Sequence, residues 1–82
     1  MKKLLLYSRS NCHLCEAMEE ELSPFIAAKC IEVKRILIDN NERFVQLYGH
    51  RVPVLMMGEQ LVCEYFLDTD ILQRILQDSS AV

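Results

Sequence analysis

No run in this 82-residue chain approaches the roughly 20 consecutive apolar residues that a membrane-spanning helix needs, so no helical span is expected. Positive charge is also in short supply. Lys and Arg number 9 against 12 Asp and Glu, a net charge of −3, with a pI near 5.3. A nucleic-acid module would show a basic face, and none is expected. With only 2 Gly and 2 Pro, the chain has no linker, repeat or low-complexity tract. An export signal is missing too. Met1-Lys2-Lys3 precedes the apolar Leu4-Leu5-Leu6-Tyr7, but Ser8-Arg9 follows at once, too early for an export segment. The chain is therefore expected to be one cytoplasmic domain, residues 1–82, whose 4 cysteines are thiols in a reducing compartment. The alternative is an exported protein with two disulfides.

What is present is globular: 51% apolar and 26% charged residues, organised around Cys12-His13-Leu14-Cys15. Two cysteines at this spacing can serve dithiol redox chemistry or metal ligation. Residues three apart on a helix have Cβ atoms roughly 5–6 Å apart, a gap that a rotamer change closes to a disulfide. At a helix N-terminus, unpaired N–H groups and the dipole stabilise a thiolate, which is the attacking species. Position thus marks Cys12 as nucleophile and Cys15, one turn inside, as the resolving thiol. A zinc site would need four ligands, and Cys30, Cys63, His13 and His50 form no second close pair. No metal site is expected. Cys30 and Cys63 read as packed or half-exposed thiols, and Met56-Met57 as core filling.

Hydrophobic patterning gives the elements. Lys3–Ser8 is a short apolar strand. Ser10 or Asn11 caps a helix with Leu14, Met18, Leu22 and Phe25 on its buried face and Glu16, Glu19, Glu20 and Glu21 toward water. Ser23-Pro24 is expected to break or kink it, with a further turn to about Lys29. Ile31–Ile38 reads as a strand half-exposed at its start and buried near its end. Asp39-Asn40-Asn41 is a turn. Asn40 then starts a short helix that turns Phe44, Leu47 and Tyr48 inward and stops at Gly49. Val52–Met57 is the third strand, with Pro53 tolerated at its beginning. Gly58-Glu59 suits a type II′ hairpin, and Gln60–Phe66 returns antiparallel. Asp68 or Thr69 caps a last helix burying Ile71, Leu72, Ile75 and Leu76. The tail Asp78–Val82 is expected to fray. The order is β-α-β-α-β-β-α, an α/β chain. Right-handed crossover makes the first strand pair parallel, giving a four-stranded mixed sheet with helices on both faces, the thioredoxin-like arrangement.

Leu6-Tyr7-Ser8 leading into Cys12-His13-Leu14-Cys15-Glu16, then Ile38-Asp39, Tyr48-Gly49-His50-Arg51-Val52-Pro53-Val54-Leu55 and Gly58, resemble the small glutaredoxin-like family of the thioredoxin superfamily. The likeness covers nearly the whole chain. It implies a cis Val52–Pro53 bond in a loop facing the cysteines, and a substrate backbone pairing with the backbone at Val52 and Pro53. It also implies thiol–disulfide exchange on protein disulfides or glutathione mixed disulfides. The chain departs from the family at one place. Glutaredoxins usually carry Gly-Gly and then Asp after the hairpin, where the γ-glutamyl end of glutathione is held. Leu61-Val62-Cys63-Glu64 stands there instead, and bulky residues deny close backbone approach. Glutathione is thus expected to be a poor reductant, with a reductase or protein donor in its place, and no cofactor is expected to be bound. Arg51 and His13 are expected to add positive charge beside Cys12, with His13 tuning its thiolate when protonated. A monomer is expected. A different class of reading also stands: a thioredoxin-fold binding module whose dithiol is vestigial or regulatory, or a zinc- or iron–sulfur-binding variant.

Overall fold

The computed structural model describes residues 2–78. Seven elements follow in the expected order: β1 Lys2–Ser8, α1 His13–Ala27, β2 Ile31–Leu37, α2 Glu42–Tyr48, β3 Val54–Met57, β4 Gln60–Glu64 and α3 Thr69–Asp78. They form one four-stranded sheet in the order β2-β1-β3-β4. β1 runs parallel to β2 and antiparallel to β3, which pairs antiparallel with β4. Alternation along β1 sends Leu4 and Leu6 to one face, where they pack with Met18 and Leu22 of α1 and Leu72 and Ile75 of α3. Tyr7 goes to the other, against Phe44, Val45 and Tyr48 of α2. The helices therefore cover both faces, as the thioredoxin-like arrangement requires. Among the described residues no helix is long and apolar enough to cross a membrane.

Several local expectations are corrected. Cys12 itself, not Ser10 or Asn11, is the N-cap of α1. The buried stripe of α1 is Cys15, Met18 and Leu22, while Leu14 is 38% exposed. Positions 14 and 15 flank the line through Met18 and Leu22, and the helix turns Cys15 inward beneath its cap. α1 also runs through Pro24 as a single element. The missing donor falls in the last turn, where Ala28 N–H still reaches the Pro24 carbonyl. The helix then ends in a Schellman motif, with Cys30 N–H bonding the Phe25 carbonyl and Lys29 N–H that of Ile26. Lys29 takes the left-handed residue's place, at φ 60°.

β2 follows the expected burial only in part: Ile38, just past its end, is fully buried as expected, but Ile31 is enclosed too and Leu37 is 50% exposed on this edge strand. Asn41 rather than Asn40 caps α2, accepting the Phe44 N–H at 3.0 Å. Leu47 faces solvent, and Val45 packs in its place. Gly49 ends α2 in ordinary right-handed conformation, not through a positive φ. β3 begins at Val54, after Pro53, and β4 stops at Glu64 because Tyr65 turns the chain with φ 69°. Gly58 opens the hairpin at φ 61°, as a type II′ turn needs. Asp68 caps α3, accepting the Ile71 N–H at 3.1 Å. Ile71 stays on the rim of its buried face. Of the tail expected to fray, Asp78 closes α3, and residues 79–82 lie outside the described residues.

The hairpin carries one irregularity that matters for the site. A two-residue turn with unbroken pairing would set Val54 opposite Cys63. The ladder shifts between Leu55 and Met56, so Leu55 faces Cys63 and Val54 faces Glu64. Val62 is the extra residue of this bulge. It re-aims everything after it by one position, sending Val62 and Cys63 into the α1/α3 core and Glu64 to the α2 face.

Candidate functional site

Four chain segments meet at one end of the sheet. The parallel register places Ser8 beside Leu37, and the antiparallel ladders place Tyr7 beside Val54 and Val54 beside Glu64. The loops after β1, after β2, before β3 and after β4 therefore converge. Cys12 and Cys15 sit in the first of these, joined as a disulfide with their Cα atoms 5.2 Å apart. Cys12 has extended dihedrals, φ −110° and ψ 106°, so its carbonyl accepts from Glu16 N–H while its sulfur accepts the Cys15 N–H at 3.1 Å. That N–H is one of the donors the first helical turn leaves unpaired. The two sulfurs are not equivalent. Cys12 is half-buried, whereas Cys15 is only 3% exposed. Solvent reaches the first sulfur and is nearly excluded from the second.

The loop carrying Cys12 is held by Asp39. Its Oδ2 accepts both the N–H and the hydroxyl of Ser10 at 3.0 Å, and its Oδ1 takes the Arg9 Nε–H at 3.1 Å. Hydrogen bonds from Ser10's backbone, then from the Arg9 and Ser10 side chains, hold the Asp39 carboxyl below its ordinary pKa. The sequence marks Asp39 as a turn residue and as part of the family resemblance, without showing this clamp. The register of β1 against β2 was the signal, since Leu37 beside Ser8 puts residue 39 beside residue 10.

The Val52–Pro53 bond is cis, as the family resemblance implied, and Pro53 is buried. The Pro53 carbonyl accepts Tyr65 N–H at 2.9 Å, and the Tyr65 hydroxyl donates to the His50 carbonyl at 2.8 Å. Loop 50–53 is thus strapped to the end of β4. Arg51 is held from three sides. Its Nε lies 2.6 Å from Glu64 Oε2, its Nη1 donates to the Leu47 carbonyl at 3.4 Å, and its guanidinium lies 5.8 Å from the Tyr48 ring centre. Arg51 was expected to offer its charge to Cys12; here a carboxylate shares it. His13 is exposed at the first position of α1. Glu64 and Tyr65 escaped the sequence reading because both depend on the bulge and the turn at the end of β4.

The remaining thiols lie elsewhere. Cys30 is exposed past the end of α1, and Cys63 is buried in the core, where burial pushes its thiol pKa up against the lowering effect of a hydrogen bond from the Asp68 backbone. Tyr7 stacks on Tyr48 at 4.5 Å between ring centres and meets Phe44 edge-on at 5.2 Å. Burial raises the Tyr7 pKa. Among the described residues, no three of His, Cys, Asp and Glu are grouped to hold a metal ion.

Comparison with known proteins bears on the family and the fold. The Glutaredoxin-like domain (DUF836) profile matches residues 3–77. The solution structure of protein Ne2328 from Nitrosomonas europaea is similar at 41% identity, covering 90% of this chain and 89% of that one, with a TM-score of 0.79. A structure from X. campestris is similar at 26% identity over 92% of this chain and 96% of that one, TM-score 0.66. The buckwheat glutaredoxin–glutathione complex, at 15% identity, covers 93% of this chain and 69% of the other with a TM-score of 0.56. That likeness is one of fold. No protein of curated function matches the sequence.

Proposed function

The chain belongs to the glutaredoxin-like domain family (DUF836), and from that premise we propose that it is a thiol–disulfide oxidoreductase working through Cys12 and Cys15. The observation that carries this reading is the asymmetry of the pair: an accessible sulfur capping a helix N-terminus and an enclosed sulfur one turn further in. In the reduced protein, the Cys12 thiolate attacks one sulfur of a partner disulfide. A Cys12–partner disulfide forms and the partner's other sulfur leaves as a thiolate, which takes up a proton. Cys15 then gives up its proton and attacks the Cys12 sulfur. The second partner sulfur is released, and the Cys12–Cys15 disulfide remains. An external dithiol or reductase returns two electrons and two protons to close the cycle. The backbone at Val52 and Pro53 orients the partner chain, as in the resembling family.

The rim supports disulfides carried on polypeptides. Leu14 is 38% exposed and Phe66 70% exposed at the dithiol end, apolar surface that a polypeptide can cover. Glutathione has less to hold, since Leu61-Val62-Cys63-Glu64 stands where the family's glycines allow close approach. The test is trapping in lysate. Cys15→Ser should accumulate mixed disulfides on Cys12, and Cys12→Ser should neither trap nor reduce. Trapping by Cys12→Ser alone would reverse the two roles, and no trapping or reduction by any form would favour a binding module.

A further inference from the structure

We propose that the Arg51–Glu64 ion pair is a charge lock that sets the specificity of the dithiol, steering Cys12 toward neutral or cationic disulfides and away from carboxylate-bearing ones. This deepens the oxidoreductase reading and rests on Cys12 as the attacking group. The arginines on the loops that follow β1 and precede β3 are the cations nearest the chemistry in the chain order, and each holds a carboxylate. Arg9 holds Asp39 at 3.1 Å, and Arg51 holds Glu64 at 2.6 Å. Glu64 and Arg51 are both part-exposed, so the pair adds little stability. Its effect is on position. The Leu47 carbonyl, the Tyr48 ring and Glu64 fix the guanidinium together, and Tyr65 ties the two loops so that the partners stay opposed.

The pair lies within electrostatic reach of the dithiol. Val54 neighbours both Tyr7 and Glu64, and strands are spaced about 4.8 Å apart, which puts Glu64 roughly 10 Å from the end of β1 across the sheet. That is about one Debye length at 0.1 M salt, so in dilute buffer the charge at this corner reaches the start of the loop that carries Cys12. The bulge at Val62 is what delivers Glu64 to this face. Unbroken pairing would have sent it to the opposite one, leaving Arg51 free to hold an anionic substrate.

The test reads the charge at Cys12 without requiring turnover. Reduced protein is alkylated with iodoacetate, an anion, or with neutral iodoacetamide, and the rate at Cys12 is followed by peptide mass spectrometry in low salt. The ratio of the two rates reports local potential. Glu64→Gln should raise the iodoacetate-to-iodoacetamide ratio by about twofold, the size expected for one unit charge roughly 10 Å away in water. Arg51→Gln should lower it by a similar factor. The double variant should return near the wild-type ratio, and 1 M salt should erase the differences. Glu32→Gln, which removes the same charge from the distant part of β2, should leave the ratio unchanged. A ratio that ignores Glu64→Gln and Arg51→Gln, or that follows Glu32→Gln equally, overturns the proposal. The absolute iodoacetamide rate at Cys12 separately tests the oxidoreductase reading: a rate no faster than an ordinary thiol's sinks that reading while the ratio still decides the charge lock. With turnover, 3,3′-dithiodipropionate should gain on 2-hydroxyethyl disulfide in Glu64→Gln by the same factor.

Discussion

Asp39 grips Ser10 twice, through backbone N–H and hydroxyl, each at 3.0 Å. Two residues further on is Cys12, so the turn after β2 fixes the entry into the dithiol. The carboxylate form makes these bonds, and its pKa is lowered chiefly by the Ser10 backbone donor. A carboxyl with a depressed folded pKa stabilises the fold above its unfolded pKa, and that contribution is lost as pH falls through the folded value. The unfolded value is about 3.9. Asp39→Asn should therefore melt below the wild type at pH 7, and the gap should close as pH drops below about 4. A gap that stays constant down to pH 2 would show that charge plays no part.

The Tyr65 hydroxyl bond to the His50 carbonyl closes the strap across the cis-proline loop. Tyr65→Phe removes only that oxygen. Denaturant unfolding should show a loss of about 0.5–1.5 kcal/mol, the usual net value of one such bond. The Cys12 alkylation ratio should also drift toward that of Glu64→Gln, because only the Tyr65 backbone bond to Pro53 still ties the two loops. Lower stability with an unaltered ratio would leave Tyr65 a structural group alone.

Helix α1 separates its two leucines clearly. Leu22 is fully enclosed and Leu14 lies on the rim. Leu22→Ala should destabilise by about 2–5 kcal/mol, and Leu14→Ala by about 0.5 kcal/mol or less, as for surface positions. Leu14→Ala should instead weaken capture of polypeptide partners by Cys15→Ser. Equal stability losses would mean that the sequence pattern, which buried Leu14, described the helix better than the structure does.

Most of the frame was legible because it follows from periodicity. The alternation in β1, the stripe through Met18 and Leu22, and the glycine-first turn at Gly58 each act locally. What escaped was set by pairing between distant segments. Leu37 looks buried in its apolar run, yet β2 ends up at the sheet edge, which no residue in β2 announces. Pro24 signals a break, but its missing donor falls where a helix is ending anyway. The site divides in the same way. The Cys12 and Cys15 spacing is local, and its place at a helix start could be read directly. Asp39 beside Ser10 depends on β1–β2 register, and Glu64 beside Arg51 depends on a single-residue bulge at Val62. Arg51 could be marked from sequence as a cation near the cysteines, but the partner that engages its charge could not.

Glutathione should serve weakly as reductant. The stretch after the hairpin is Leu61-Val62-Cys63-Glu64, with side chains where close approach favours glycine. In a coupled assay with a mixed-disulfide substrate, a dithiol donor should outpace glutathione at equal thiol concentration by at least about tenfold, the equivalent of about 1.4 kcal/mol. Robust glutathione-dependent turnover would contradict this.

The central claim is that the start of α1 makes Cys12 a thiolate at neutral pH. The Cys15 N–H aimed at its sulfur and the helix dipole favour the charged form, while Glu16 in the first turn opposes it. The measurement is thiolate absorbance against pH in a variant whose only cysteine is Cys12, with alkylation rate as a second readout. The account predicts a midpoint below about 7.5, within the range of helix-start cysteines. A midpoint at or above about 8.5, the value of a free thiol, would contradict it.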